Sequence, residues 1–315
     1  MADNYNLPPQ AYQQQDDEID LKELFLALWK GKWIILCVTL IFASGGVFYA
    51  LSLPNTYKAE AILASANDSK SGGLAAMASQ FGGLASLAGI SLGSGSTDGK
   101  TMALATLKSR QFVYAFIKKY DLLVPLMAGT KWNESSNILL LDPEIYDEQN
   151  KTWIRAVNSG KSSKPTQWET YKKFKKLMSI AESKDSGLVT LSITHLSPTI
   201  AKQWVDWLII DLNDWVKKES LNETQRNIRY LEEQIERTSI TDMQSVFYEL
   251  IEEQTKNLML AQVQDEFAFK TIDPAVVPEE KVGPKRALIC IVATLLGGML
   301  SMVIVLIRFA FNKKA

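Results

Sequence analysis

Few side chains in this sequence could do chemistry. Its 315 residues include one histidine, His195, and two cysteines, Cys37 and Cys290. That leaves almost nothing for a His/Cys zinc or iron site, or for a Cys–His nucleophile pair. Carboxylates are plentiful, Glu232, Glu233, Glu252 and Glu253 among them, and a glycosidase needs only two. These four sit on polar faces of expected helices, where solvated or i,i+4-paired charge is the ordinary state. His195 ends an expected strand beside a helix cap and reads as a surface or cap-adjacent residue. Gly99-Lys100-Thr101 resembles the end of a phosphate-binding loop. The glycine that motif needs five residues earlier is Ser94, and no strand precedes it. Trp153, Trp168, Trp204, Trp207 and Trp215 could stack on sugar rings, but Trp204 and Trp215 fall on an apolar helical face and read as core. No catalytic residue, metal ligand or cofactor site is assigned, so the chain is read as a non-enzyme.

The elements that would carry these residues are organised by hydrophobicity. Apolar residues make up 47% and charged residues 22% of the chain, a globular balance. Lys plus Arg number 34 against 35 Asp plus Glu, which gives no electrostatic footprint for nucleic acid. Residues 34–53 (IILCVTLIFASGGVFYALSL) and 287–307 (ALICIVATLLGGMLSMVIVLI) carry no charge. Each would be about 30 Å long as a helix, the thickness of a bilayer core. The first is too long and too far into the chain for a signal peptide. Both read as transmembrane helices. Lys22, Lys30 and Lys32 precede the first span and only Lys58 follows closely, which predicts a cytoplasmic N-terminus. Residues 1–33 are then a cytoplasmic tail with a short interfacial helix, 54–286 an external domain and 308–315 a cytoplasmic tail. Gly46 with Ala50, and Gly297 with Ser301, put small residues four apart on each span, where helix backbones can approach closely.

Inside the external domain, Tyr57–Ala64 and Leu188–His195 alternate as strands, while Lys100–Tyr120 and Lys161–Glu182 read as helices. Residues 71–99 are rich in Gly, Ala and Ser. They have too few strongly apolar side chains for a third span. Two readings stand for them, a mobile or loosely helical segment and a loop packing on neighbouring subunits. Ser197-Pro198 supplies an N-cap and first-turn proline for a helix over 198–237. Such a helix is about 60 Å long, against a diameter of roughly 45 Å for a compact domain of this size. It is expected to project from the membrane, its distal apolar stripe covered by the next helix and by other subunits. Thr241 and Gln244 fit a capping box opening that next helix, which is expected to run to about Phe267. Phe267–Asp273 alternates as a closing strand. Pro274, Pro278 and Pro284 then favour an extended approach to the second span.

EIDLKELFLALWKGKWII (18–35), FKTIDPAVVPEEKVGPKRALI (269–289), TLSITHLSPTIAKQW (190–204) and the stretch 230–270 resemble Wzz-type chain-length determinant proteins, the polysaccharide co-polymerases of the Gram-negative inner membrane. Residues 121–170 match that pattern least. The resemblance implies an α+β periplasmic domain with a long protruding helical hairpin, anchored by two transmembrane helices. It implies a homo-oligomeric ring that regulates the length of a lipid-linked glycan, such as lipopolysaccharide O-antigen, beside the membrane polymerase. The alternative is an adaptor or activator of a separate tyrosine kinase in capsule or exopolysaccharide export. Only eight residues follow the second span, without a nucleotide site or tyrosine cluster. A two-span sensor would lack a cytoplasmic output domain.

Overall fold

The computed structural model describes residues 28–66, 95–157, 160 and 162–314. The tail 1–18, most of the expected interfacial helix and residues 71–94 lie outside the described residues. The chain divides into two compact units, one formed by the segments up to Leu53 and from Lys285, the other by Pro54–Pro284.

The first unit is a pair of apolar helices, α1 (Lys32–Ser52) and α8 (Arg286–Lys314). Both are long and apolar enough to cross a membrane. Their large side chains, among them Leu36, Phe48, Leu295 and Met299, are exposed, while Gly46, Ala50, Gly297 and Ser301 are buried. An apolar surface facing outward over a seam of small residues is the pattern of a helix pair solvated by lipid. Helix α8 continues as helix beyond the expected end of the span at Ile307, through residues 308–314.

The second unit is built on an antiparallel sheet in the order β6-β7-β1-β8, with β9 also paired to β1. Strand β1 (Thr56–Ser65) is central. Its alternating Ala59, Ala61 and Leu63 face inward, and Tyr57 to Leu63 pair with His195 to Val189 of β7 (Val189–His195). Strands β8 (Phe269–Asp273) and β9 (Lys281–Gly283) flank β1 on its other side. The buried face is covered by the first four turns of α6 (Pro198–Arg237), through Ala201, Trp204, Val205, Leu208 and Leu212. Phe112 and Phe116 of α3 (Arg110–Lys119) and Phe174 of α5 (Gln167–Leu177) complete the core. Beyond Asn213, Leu231 is the one residue of α6 that is buried. Past Trp215 and Val216, which still touch the core, α6 runs alongside the antiparallel α7 (Thr241–Val263), whose Phe247 is also buried. The fold is α+β with a helical hairpin extending past its core.

Several local expectations are corrected. The helix over Lys100–Tyr120 is two helices, α2 (Gly95–Lys108) and α3, because Ser109 adopts extended dihedrals and accepts a hydrogen bond from the Phe112 N–H. The helix over Lys161–Glu182 begins only at Gln167, behind a Thr166–Glu169 capping box, and ends at Leu177. Met178–Glu182 is instead edge strand β6, held by pairing with β7. Thr241 and Gln244 make no capping box. The Gln244 amide donates to the carbonyls of Ile235 and Thr238, and so closes the end of α6 rather than the start of α7. Helix α7 ends at Val263, short of Phe267. Residues 121–157 hold a short helix α4 (Leu123–Ala128) and two hairpins, β2–β3 (Gly129–Asn133, Ile138–Leu141) and β4–β5 (Tyr146–Asp147, Thr152–Trp153).

Candidate functional site

The chemistry-bearing residues are dispersed. Glu232, Glu233 and Glu252 are exposed and Glu253 is half-buried, all on the hairpin helices. Among the described residues no group of three or more His, Cys, Asp or Glu is gathered as a metal would need. Cys37 and Cys290 are free thiols in the two apolar helices. Trp204 is fully buried against Phe174 and His195, and Trp207 stacks flat on Tyr120 at 4.1 Å. Trp215 packs edge-on to Phe112, and Trp153 on Tyr146. These rings serve packing. Trp168 is the exception, with 48% of its surface exposed.

His195 is not a surface residue: it is 4% exposed at the end of β7. Its Nδ1 accepts the Ser197 N–H at 3.1 Å, and Ser197 in turn caps α6 by accepting from the Ile200 N–H. Burial lowers its pKa from 6.5 to about 4, and the nearby Lys173 ammonium acts in the same direction. The ring is therefore a neutral acceptor joining strand end to helix start. Because the folded pKa lies below the unfolded one, this contribution is complete above about pH 6.5 and is lost as pH falls towards 4. It amounts to about 3 kcal/mol in full. Wild type should lose more stability between pH 7 and 4.5 than His195→Gln, as read by thermal melting of the full chain.

Two polar groups of α6 hold the hairpin to its base. Buried Asn213 accepts the N–H groups of Ala268 and Phe269 through Oδ1 and donates through Nδ2 to the Phe269 carbonyl. One turn on, Lys217 Nζ donates to the carbonyls of Gln262 and Gln264, where α7 ends. A cation at a helix C-terminus also meets the negative end of its dipole. Towards the end of α3, Asp211 accepts from Lys119 Nζ at 2.6 Å and from the Tyr120 hydroxyl. That hydrogen bond raises the Lys119 pKa, and burial raises that of Tyr120.

The approach to α8 contains exposed Pro274 and half-buried Pro278 and Pro284, with β9 between the last two. Within the apolar pair, a Cβ on Gly46 would lie 2.5 Å from the Ala293 Cβ, and one on Gly297 would lie 2.6 Å from the Phe42 Cβ. Gly31 meets Val305 in the same way. At the other end, Arg286 donates to the carbonyls of Ala50 and Leu53, closing the end of α1. Ser301 Oγ returns to the Gly298 carbonyl, so its buried hydroxyl is satisfied within α8.

The chain thus combines two helices long and apolar enough to cross a membrane with an α+β unit that carries a long helical hairpin. Residues 17–120 match the family model "Wzz: Chain length determinant protein", and residues 237–310 match "GNVR: G-rich domain on putative tyrosine kinase". The first match covers about a third of the chain and supports the resemblance to chain-length determinant proteins, and the second covers under a quarter. Among solved structures, a full-length bacterial polysaccharide co-polymerase aligns at 15% identity and TM-score 0.41, over 93% of this chain and 99% of its own. A fragment of the polysaccharide co-polymerase WzzB from Salmonella Typhimurium aligns at 10% identity and TM-score 0.31, over 73% and 100%. No curated protein matches the sequence.

Proposed function

We propose that the protein is a non-enzymatic inner-membrane scaffold that sets the length of a surface polysaccharide, O-antigen or a related glycan, beside the membrane polymerase. The match of residues 17–120 to the chain-length determinant model carries this reading. Both termini are cytoplasmic and residues 54–286 periplasmic, in keeping with the positive charge before the first span. Self-association into a ring is supported by apolar side chains left exposed on the hairpin, among them Tyr248, Met259 and Val263. A deletion strain should yield surface polysaccharide of altered or unregulated length with total polymer largely kept, as read on a lipopolysaccharide gel. An unchanged ladder would refute the reading.

A second reading, an adaptor for a separate tyrosine kinase in capsule or exopolysaccharide export, is favoured by the match of residues 237–310. It expects lower phosphotyrosine in the deletion strain.

Pro278 and Pro284 bracket β9 and fix φ near −65°, so they stiffen the approach to α8. Pro278→Ala with Pro284→Ala should broaden or shift the length distribution at equal protein level. Single alanines at Glu232, Glu233, Glu252 or Glu253 should change it little, and complete loss of polymer from one of them would instead indicate an enzyme.

A further inference from the structure

Helices α3 and α5 lie side by side over the core, and their outer faces carry an unusual charge pattern. Arg110 of α3 lies over the Trp168 ring of α5, 5.4 Å from its centre, and Lys172 lies over the same ring at 4.9 Å. One turn further along both helices, Tyr114 meets Tyr171 edge-on at 6.1 Å. The two contacts set a register, 110 against 168 and 114 against 171, which continues to Lys118 on α3 and Lys175 on α5. All four cations are exposed.

None of the four has a carboxylate partner among the described residues. Helix α3 has no acidic residue, and the single carboxylate of α5, Glu169, is held by Arg155 at 2.7 Å and by the Thr166 N–H. Of the other three cations of these helices, Lys119 reaches Asp211, Lys173 reaches the Met127 carbonyl, and Lys176 is exposed beside Lys175. In a chain of net charge −1, four uncompensated cations along two adjacent helical stripes are a local segregation of charge. At their head the half-exposed Trp168 indole, itself stacked on Tyr171, holds the Arg110 and Lys172 side chains over its ring and so fixes where their charges sit.

We propose that this face binds an acidic glycan, a polymer of sugars bearing carboxylate or phosphate groups, with Arg110, Lys118, Lys172 and Lys175 pairing with successive anions and Trp168 holding the first and third of these cations in place. This rests on the polysaccharide reading above and names the chemical class of glycan engaged. A row of cations one helical turn apart suits a linear polyanion. A lipid surface would instead favour bulky apolar side chains on the same face for insertion, and here the exposed ring is overlaid by cations.

The test uses the full chain in phosphatidylcholine nanodiscs, titrated with oligogalacturonate, with its methyl-esterified neutral form and with phosphatidylglycerol vesicles. Oligogalacturonate should bind with salt-sensitive affinity and the neutral form far more weakly. Trp168→Ala, and Arg110→Gln combined with Lys172→Gln, should each weaken binding about tenfold. Both variants alter exposed side chains, and unchanged melting of the chain identifies them as folded. Equal binding of the neutral oligomer overturns the proposal. So does unchanged affinity in the folded variants, or capture of anionic vesicles in preference to the oligomer. Length control is read separately: normal oligomer binding with an unaltered ladder in the deletion strain refutes the length-setting function and leaves this site standing.

Discussion

Asn213→Ala is expected to destabilise the Pro54–Pro284 unit by about 3 kcal/mol. The substitution removes three hydrogen bonds at once and leaves two buried N–H groups, those of Ala268 and Phe269, without an acceptor. Each such orphaned donor costs about 1–3 kcal/mol. The loss should be local before it is global. Amide exchange of residues 268–273 should accelerate at denaturant concentrations where β1 and β7 remain protected. Asn213→Asp keeps the acceptor but loses the donor to Phe269 and buries a charge, so it should not restore wild-type stability. A loss below about 1 kcal/mol for Asn213→Ala would show that solvent replaces the clamp.

Gly297→Leu is expected to separate the two apolar helices. A first side-chain atom there already lies 2.6 Å from Phe42 Cβ and 3.4 Å from the Thr39 Cα, and neither is a flexible tip that could swing aside. The seam must open or slide, and contact at Gly46–Ala293 goes with it. The pair can be followed directly. A Cβ built on Gly298 lies 4.0 Å from Thr39 Oγ1, so cysteines at 39 and 298, with Cys37 and Cys290 replaced by serine, should cross-link on mild oxidation. Gly297→Leu should abolish that cross-link and disturb glycan length at equal protein abundance. Gly45→Leu, where an added Cβ meets nothing within 4 Å, is the control and should leave both unchanged.

The parts of the molecule readable in advance are those fixed by local chemistry over many residues. The two uncharged runs needed only their length. Helix α6 was readable at both ends because Ser197-Pro198 caps its start and the apolar period runs unbroken from Ala201 to Ile235. What stayed hidden depends on partners distant in the chain. Met178–Glu182 is a strand because β7 offers an edge, whereas its own residues continue the helical pattern before it. Gln244 lies three residues past Thr241, as a capping box requires, yet α6's exposed carbonyls take its amide. Asn213 looks like an ordinary polar residue on a long helix until the return strand arrives 55 residues later. The cationic face behaves in the same way. Its two stripes are unremarkable apart, and only the packing of α3 on α5 sums their charge.

The position of that clamp has a mechanical consequence. Asn213 and Lys217 fasten α6 and the end of α7 close to the sheet, and from Asn213 to Arg237 the helix runs on for about 36 Å. The hairpin is thus a lever with its fulcrum at the last buried polar contact. By simple trigonometry, a rocking of about 5° there displaces the far end by about 3 Å along a 36 Å arm. If copies of the chain join near these tips in the ring proposed above, they share that displacement, and a small rocking at the fulcrum changes the aperture between them.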